Sequence, residues 1–95
     1  MKTNTKIMIV DDAEMNREIL MAILGDEYEY VQAENGRQAI HILQQDMNID
    51  LMLLDINMPE MNGFQVLDRM NTFHWINDIP VIMISSEEKK DVIER

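Results

Sequence analysis

The chain has 95 residues, 46% of them hydrophobic and 27% charged, with no cysteine. That length holds one hydrophobic core, the apolar share is too high for a disordered segment, and the lack of thiols excludes disulfide staples, thiolate metal sites and thiol catalysis. Eighteen acidic side chains against eight basic ones give a formal charge of -10, a field that repels nucleic-acid backbones and anionic lipid surfaces.

No apolar run approaches the length of a signal-peptide core or a membrane span, and the first six residues are mostly polar. Together with the absence of cysteine, this makes the cytoplasm the expected location.

Ile7 to Val10 (IMIV) is apolar at every position, which predicts a strand buried on both faces, as in a parallel sheet covered by helices. It runs into Asp11-Asp12; taken alone, Asp12 could simply cap a helix that begins near Glu14. Met15, Ile19, Ala22 and Ile23 share one face of that helix, expected to point inward, and Gly25 can end it because glycine accepts a left-handed cap. Tyr28 to Ala33 (YEYVQA) alternates at first and keeps Glu29 and Gln32, as a strand at the sheet's edge would.

Asn35 can cap a second helix with Ala39, Ile40 and Leu43 inward and His41 on its wet side. Leu51 to Leu54 (LMLL) is a second wholly apolar strand and runs into Asp55. Asn62-Gly63 opens a third helix, with Phe64, Leu67 and Met70 or Val66 facing the core, and His74 falls in the loop beyond it. Val81 to Ile84 (VIMI) is the last apolar run; it ends in Ser85-Ser86, and a fourth helix starts near Glu87, its Glu87, Glu88, Lys89 and Lys90 forming a solvated face. The ten methionines lie mostly within these stripes and read as core filling.

Strand and helix alternate throughout, at intervals that suit right-handed crossovers, so the expected fold is α/β with an open, doubly wound parallel sheet. In such sheets ligands bind outside the carboxyl ends of the strands, where the strand order reverses. Asp11, Asp12, Asp55 and Ser85 all stand at such ends and would share one pocket. Clustered carboxylates repel unless neutralised, and a hard divalent cation such as Mg²⁺ is the usual solution for oxygen ligands. With that ion bound, a carboxylate can attack a phosphoryl group, and Asp55, alone after a central strand, is the best nucleophile.

The segments IMIVDD, LMLLDINMPEMNGF and PVIMISS resemble the successive signatures of two-component response-regulator receiver domains, the CheY-like branch of the flavodoxin-like folds. The most specific piece is Asp55-Ile56-Asn57-Met58-Pro59 with Met61 and Gly63. The resemblance implies that Asp12 ligates Mg²⁺ directly, Asp11 acts mainly through water, Asp55 both ligates and accepts the phosphoryl group, and Asn57 offers its backbone carbonyl. It implies that Ser85 is the switch hydroxyl that bonds the phosphoryl oxygen and draws the following loop inward. The implied partners are a sensor histidine kinase or phosphotransfer protein, and a downstream output domain.

The family has five strands and a lysine at the end of the fifth, whereas this sequence stops at Arg95. The expectation is thus one receiver domain over 1-95, incomplete at its C-terminal end, without the fifth strand and fifth helix. Lys89 and Lys90 stand too soon after Ser85 to serve as that lysine. Unpaired on its outer side, Val81 to Ile84 would template dimerisation or domain swapping. Two alternatives stand beside the phosphoacceptor: an interaction module that no longer signals, and a phosphohydrolase of the haloacid-dehalogenase type. The latter enzymes use a second aspartate two residues on, where Asn57 stands.

Overall fold

The protein is described from a computed structural model, which covers residues 5–46 and 48–84. Ser85, Ser86 and the expected helix near Glu87 lie outside the described residues. The elements follow the expected alternation: β1 Lys6–Val10, α1 Glu14–Leu24, β2 Glu29–Ala33, α2 Gly36–Gln45, β3 Leu51–Asp55, α3 Gly63–Thr72 and β4 Val81–Ile84, with a short 3-10 turn at Trp75–Asn77.

All pairings are parallel and the strand order is β2-β1-β3-β4. This is the open parallel α/β sheet expected from the apolar runs, and of the CheY-like type that the resemblance implies, with β2 at one edge as its mixed sequence suggests. Alternation along the strands sorts the core into two layers. Met8, Val10, Met52 and Leu54 pack with Ala39, Ile40 and Leu43 of α2 and with Val66 and Met70 of α3. Ile7, Ile9 and Leu53 point the other way and pack against Leu20, Met21 and Leu24 of α1. Each such side chain, fully buried, stabilises the fold by about 1.5–3 kcal/mol relative to exposure.

Three sequence expectations are corrected. The face of α1 turned to the sheet carries Arg17, Leu20, Met21 and Leu24, while Met15, Ile19, Ala22 and Ile23 are exposed, Ile23 at 73%. Arg17 sets this rotation: it is buried, its Nε donates to Gln32 Oε1 at 2.9 Å and its Nη1 to the Asp11 carbonyl at 2.6 Å. In α3 the buried residues are Gly63, Val66 and Met70, with Leu67 half-buried, and Phe64 faces out. Strand β4 is less buried than its apolar run predicts: Ile82, in register with Leu53, is 52% exposed because α1 does not reach over it, and among the described residues β4 pairs with β3 alone.

The helix caps follow the sequence. Asn35 Oδ1 accepts from the Gln38 amide at 2.8 Å. Asn62 and Gln65 form a reciprocal capping box, at 2.9 Å from the Gln65 amide to Asn62 Oδ1 and 2.8 Å from the Asn62 amide to Gln65 Oε1.

Candidate functional site

After β1 the chain moves outward to β2, then crosses back to place β3 on the other flank of β1. The strand order reverses there, which leaves a crevice at the carboxyl ends of β1 and β3. Val10 and Leu54 are register partners, so the residues that follow them, Asp11 and Asp55, emerge side by side. Asp55 is itself in register with Ile84, and Ser85, though outside the described residues, is next in the chain.

Asp11 and Asp55 are buried, Asp12 is exposed, and one carboxylate oxygen from each lies within 4.8 Å of the others. The three expected acidic residues are therefore together. The N-cap position of α1 falls on Ala13, so Asp12 does not serve as the helix cap. A depression of about 380 Å³ beside the cluster is lined by Asp12, Asn57, Met58, Pro59 and Asn62.

Backbone amides hold the two buried carboxylates in place. The Ala13 amide donates to Asp11 Oδ1 at 2.9 Å, and the Asn57 amide donates to Asp55 Oδ1 at 3.2 Å. The Asp11 main chain is fixed on both sides, its N–H donating to the Ala33 carbonyl at 3.1 Å and its carbonyl accepting from Arg17. Burial pushes the Asp11 carboxyl above the ordinary carboxylate range and the neighbouring Asp12 charge adds to the shift; the Ala13 amide, Asn16 and Arg17 oppose it. Such a group is awkward as a bare anion, and a cation beside it relieves the strain of both burial and like charge. An all-oxygen set of three carboxylates matches the coordination taste of Mg²⁺.

Gly63 bears on the site through closeness. A Cβ at this position would stand 2.6 Å from the Asp55 carbonyl oxygen and 2.9 Å from Ile56 Cα. The helix that follows the site thus starts against the backbone of the strand end that carries Asp55, and the Gly63 amide donates to the Ile56 carbonyl at 2.9 Å.

Two features around the site escaped the sequence reading. Arg17 was hidden because its partners, the Asp11 carbonyl and Gln32, lie outside α1, although a lone cation in an otherwise apolar stripe of α1 was a signal. Glu60, in the loop after Pro59, has a positive φ of 67°, and nothing in a glutamate foretells that. His41 is exposed on α2, as expected, and His74 precedes the 3-10 turn with φ 63°.

A doubly wound parallel sheet with a carboxylate cluster at its switch point defines the class, a flavodoxin-like domain with an acidic pocket suited to a divalent cation. The sequence model of the response regulator receiver domain family matches residues 7–95, and the chain belongs to that family. It is 31% identical over 90 residues to the two-component response regulator ORR3 of Oryza sativa, covering 94% of this chain and 69% of that protein. It is 42% identical over 81 residues to the response regulator RR06 of Streptococcus pneumoniae, covering 84% of this chain but 36% of the relative. Among solved structures it resembles the response regulator protein TrrA of Thermotoga maritima, crystallised in complex with Mg²⁺-BeF, at 33% identity and a TM-score of 0.76 over 92% of this chain and 76% of that one. Among the described residues no helix is long and apolar enough to cross a membrane.

Proposed function

We propose that the chain is the phosphoacceptor domain of a two-component phosphorelay, with Asp55 as the acceptor. The observation that carries this reading is the convergence of Asp11, Asp12 and Asp55 within 4.8 Å at the strand-order switch. An Asp55 carboxylate oxygen attacks the phosphorus of a phosphohistidine on a sensor histidine kinase or phosphotransfer protein. The P–N bond breaks, the imidazole nitrogen keeps the electron pair and takes up a proton, and an acyl phosphate forms on Asp55. Mg²⁺, when bound, offsets the negative charge shared by the carboxylates and the phosphoryl oxygens.

The chain's own residues do the rest. The Asn57 amide holds one Asp55 oxygen and thereby orients the carboxylate. Asp12, Asp55 and the Asn57 carbonyl serve as ligands, Asp11 acts through water, and Ser85 bonds the new phosphoryl oxygen, roles supported by similarity to the family. The domain is not a turnover enzyme; it assists its own modification and its own hydrolysis, and it works in the cytoplasm on behalf of an output domain. The relatives' greater lengths support a further domain, and the outer edge of β4, unpaired among the described residues, supports pairing with a second chain.

The test is intact mass after incubation with Mg²⁺ and acetyl phosphate. One added phosphoryl group, lost in Asp55→Asn and lost with chelator, is the expected result. A folded chain that gains no mass would favour the interaction module without phosphoryl transfer, and release of phosphate over many turnovers would favour the phosphohydrolase. A monodisperse monomer at high concentration in light scattering would remove the edge pairing.

A further inference from the structure

The chain carries its negative charge unevenly. Of the 18 acidic residues in the sequence, α2 holds none and α3 holds only Asp68, while these two helices supply Arg37 and Arg69. With two arginines and one aspartate the pair of helices is net positive by one charge, in a chain of -10. The other two described lysine and arginine residues are engaged elsewhere: Lys6 pairs with Asp46 at 3.1 Å and Arg17 is buried.

Arg37 and Arg69 meet at one groove. It has a volume of about 290 Å³ and is lined by Arg37, Ile40, His41, Gln44, Met61 and Arg69. Ile40 and Met61 give it apolar surface, and the two guanidiniums, the imidazole and the Gln44 amide give it donors at the rim. A carboxylate of the chain itself already stands near this rim: Glu60 approaches Arg37 Nε at 3.9 Å, with both side chains about three-quarters exposed. An ion pair so open to water is weak and easily exchanged for another carboxylate.

We infer that the groove between α2 and α3 is a docking surface for an acidic protein segment that carries an apolar side chain. The apolar side chain rests on Ile40 and Met61, and its flanking carboxylates replace Glu60 at Arg37 and engage Arg69, where bidentate geometry favours arginine. The surrounding field selects the size of the partner. A short acidic peptide meets only the positive groove, whereas a nucleic acid or an anionic membrane spreads its charge over the negative remainder of the surface. Met61 belongs to the same loop as Asn57, Met58 and Pro59, so the occupant touches the segment that lines the acidic depression.

The experiment pans a phage library of random peptides on the chain, then measures the enriched peptides by fluorescence anisotropy against wild type and R37E/R69E. A second variant, R37Q/R69Q, removes charge without reversing it, and far-UV circular dichroism checks that both fold; both positions of change carry exposed side chains. Expected are peptides rich in Asp and Glu around one apolar residue, binding R37E/R69E at least about tenfold more weakly, R37Q/R69Q to an intermediate extent, and losing affinity as salt rises. No enrichment, enrichment of non-acidic peptides, or equal binding by all three proteins would overturn the inference. Binding to phosphatidylserine vesicles, or self-association, that vanishes in R37E/R69E would assign the groove to a membrane or to a second copy and would overturn it as well.

Discussion

Gly63→Ala places one methyl group where the described backbone leaves no room. The added carbon would lie 2.6 Å from the Asp55 carbonyl oxygen, 2.9 Å from Ile56 Cα and 3.0 Å from Met83 Cε. The methionine end can swing aside, but the other two atoms are main chain. Ile56 is tied to β4 by its amide, which donates to the Ile84 carbonyl at 2.9 Å, and to α3 by its carbonyl, which accepts from Gly63. Relief therefore requires α3 to lift from the sheet, loosening Val66 and Met70, or the end of β3 to bend. Overpacking of this kind costs about 1–3 kcal/mol, and the better helix propensity of alanine returns at most about 1 kcal/mol. The net loss is about 1–2 kcal/mol, which lowers the melting temperature by roughly 5–15 °C for a domain of this size. Urea unfolding followed by circular dichroism and by the fluorescence of Trp75 measures it, and a midpoint lower by about 0.3–2 M at unchanged slope is expected. Because the strain falls on the Asp55 main chain, labelling by acetyl phosphate should slow as well. A midpoint equal to or above wild type would refute the close-approach argument and leave only helix propensity.

Other outcomes follow from the same geometry. Without divalent cation, Asp11→Asn should be more stable than wild type at neutral pH. The folded Asp11 pKa is raised above its ordinary 3.8, so the favourable contribution of the carboxyl is present below that value and is lost as pH rises through the folded one; melting temperature against pH in chelator reads the difference. Saturating Mg²⁺ should raise the wild-type melting temperature more than that of Asp11→Asn. Arg17→Met should cost about 1–3 kcal/mol in urea unfolding by removing the bonds to Asp11 and Gln32, and Arg17→Lys should not restore it, since one ammonium lacks the fork that reaches both. Ile19→Ala should change stability by no more than about 0.5 kcal/mol, whereas Leu20→Ala should cost more than about 1 kcal/mol; the reverse order would return α1 to the orientation that its sequence favours.

That orientation marks where the sequence stopped being legible. The runs Ile7–Val10 and Leu51–Leu54 carry their own meaning, because apolarity at every position requires cover on both faces, and the aspartates that end them had to share the switch point once the strands were adjacent. Helix α1 is different: it has two apolar stripes, and Met15, Ile19, Ala22 and Ile23 form as regular a face as Leu20, Met21 and Leu24. What separates them is Arg17, whose partners come from the end of β1 and from β2, so the choice belongs to tertiary contacts. Phe64 failed for a related reason. The closeness of Gly63 to β3 fixes the phase of α3, and the residue after that glycine is carried round to solvent however hydrophobic it is. The buried Ile49 and Ile79, just ahead of β3 and β4, lie outside any periodic stripe, and only their neighbours show that they belong to the core.

The strand order also has a consequence in time. Strand β1 precedes every other strand in the chain yet lies between β2 and β3. During synthesis its edge toward β3 therefore stays open until Leu51–Asp55 has been made. At roughly 5–20 residues per second, the interval is on the order of seconds. Over that interval the nascent chain holds the apolar run Ile7–Val10 with one side of its ladder unfilled and an aspartate pair at its end whose third carboxylate does not yet exist. The acidic pocket is thus completed only when the end of β3 has been made, and until then the β3-facing edge of β1 is open to pairing with other nascent chains.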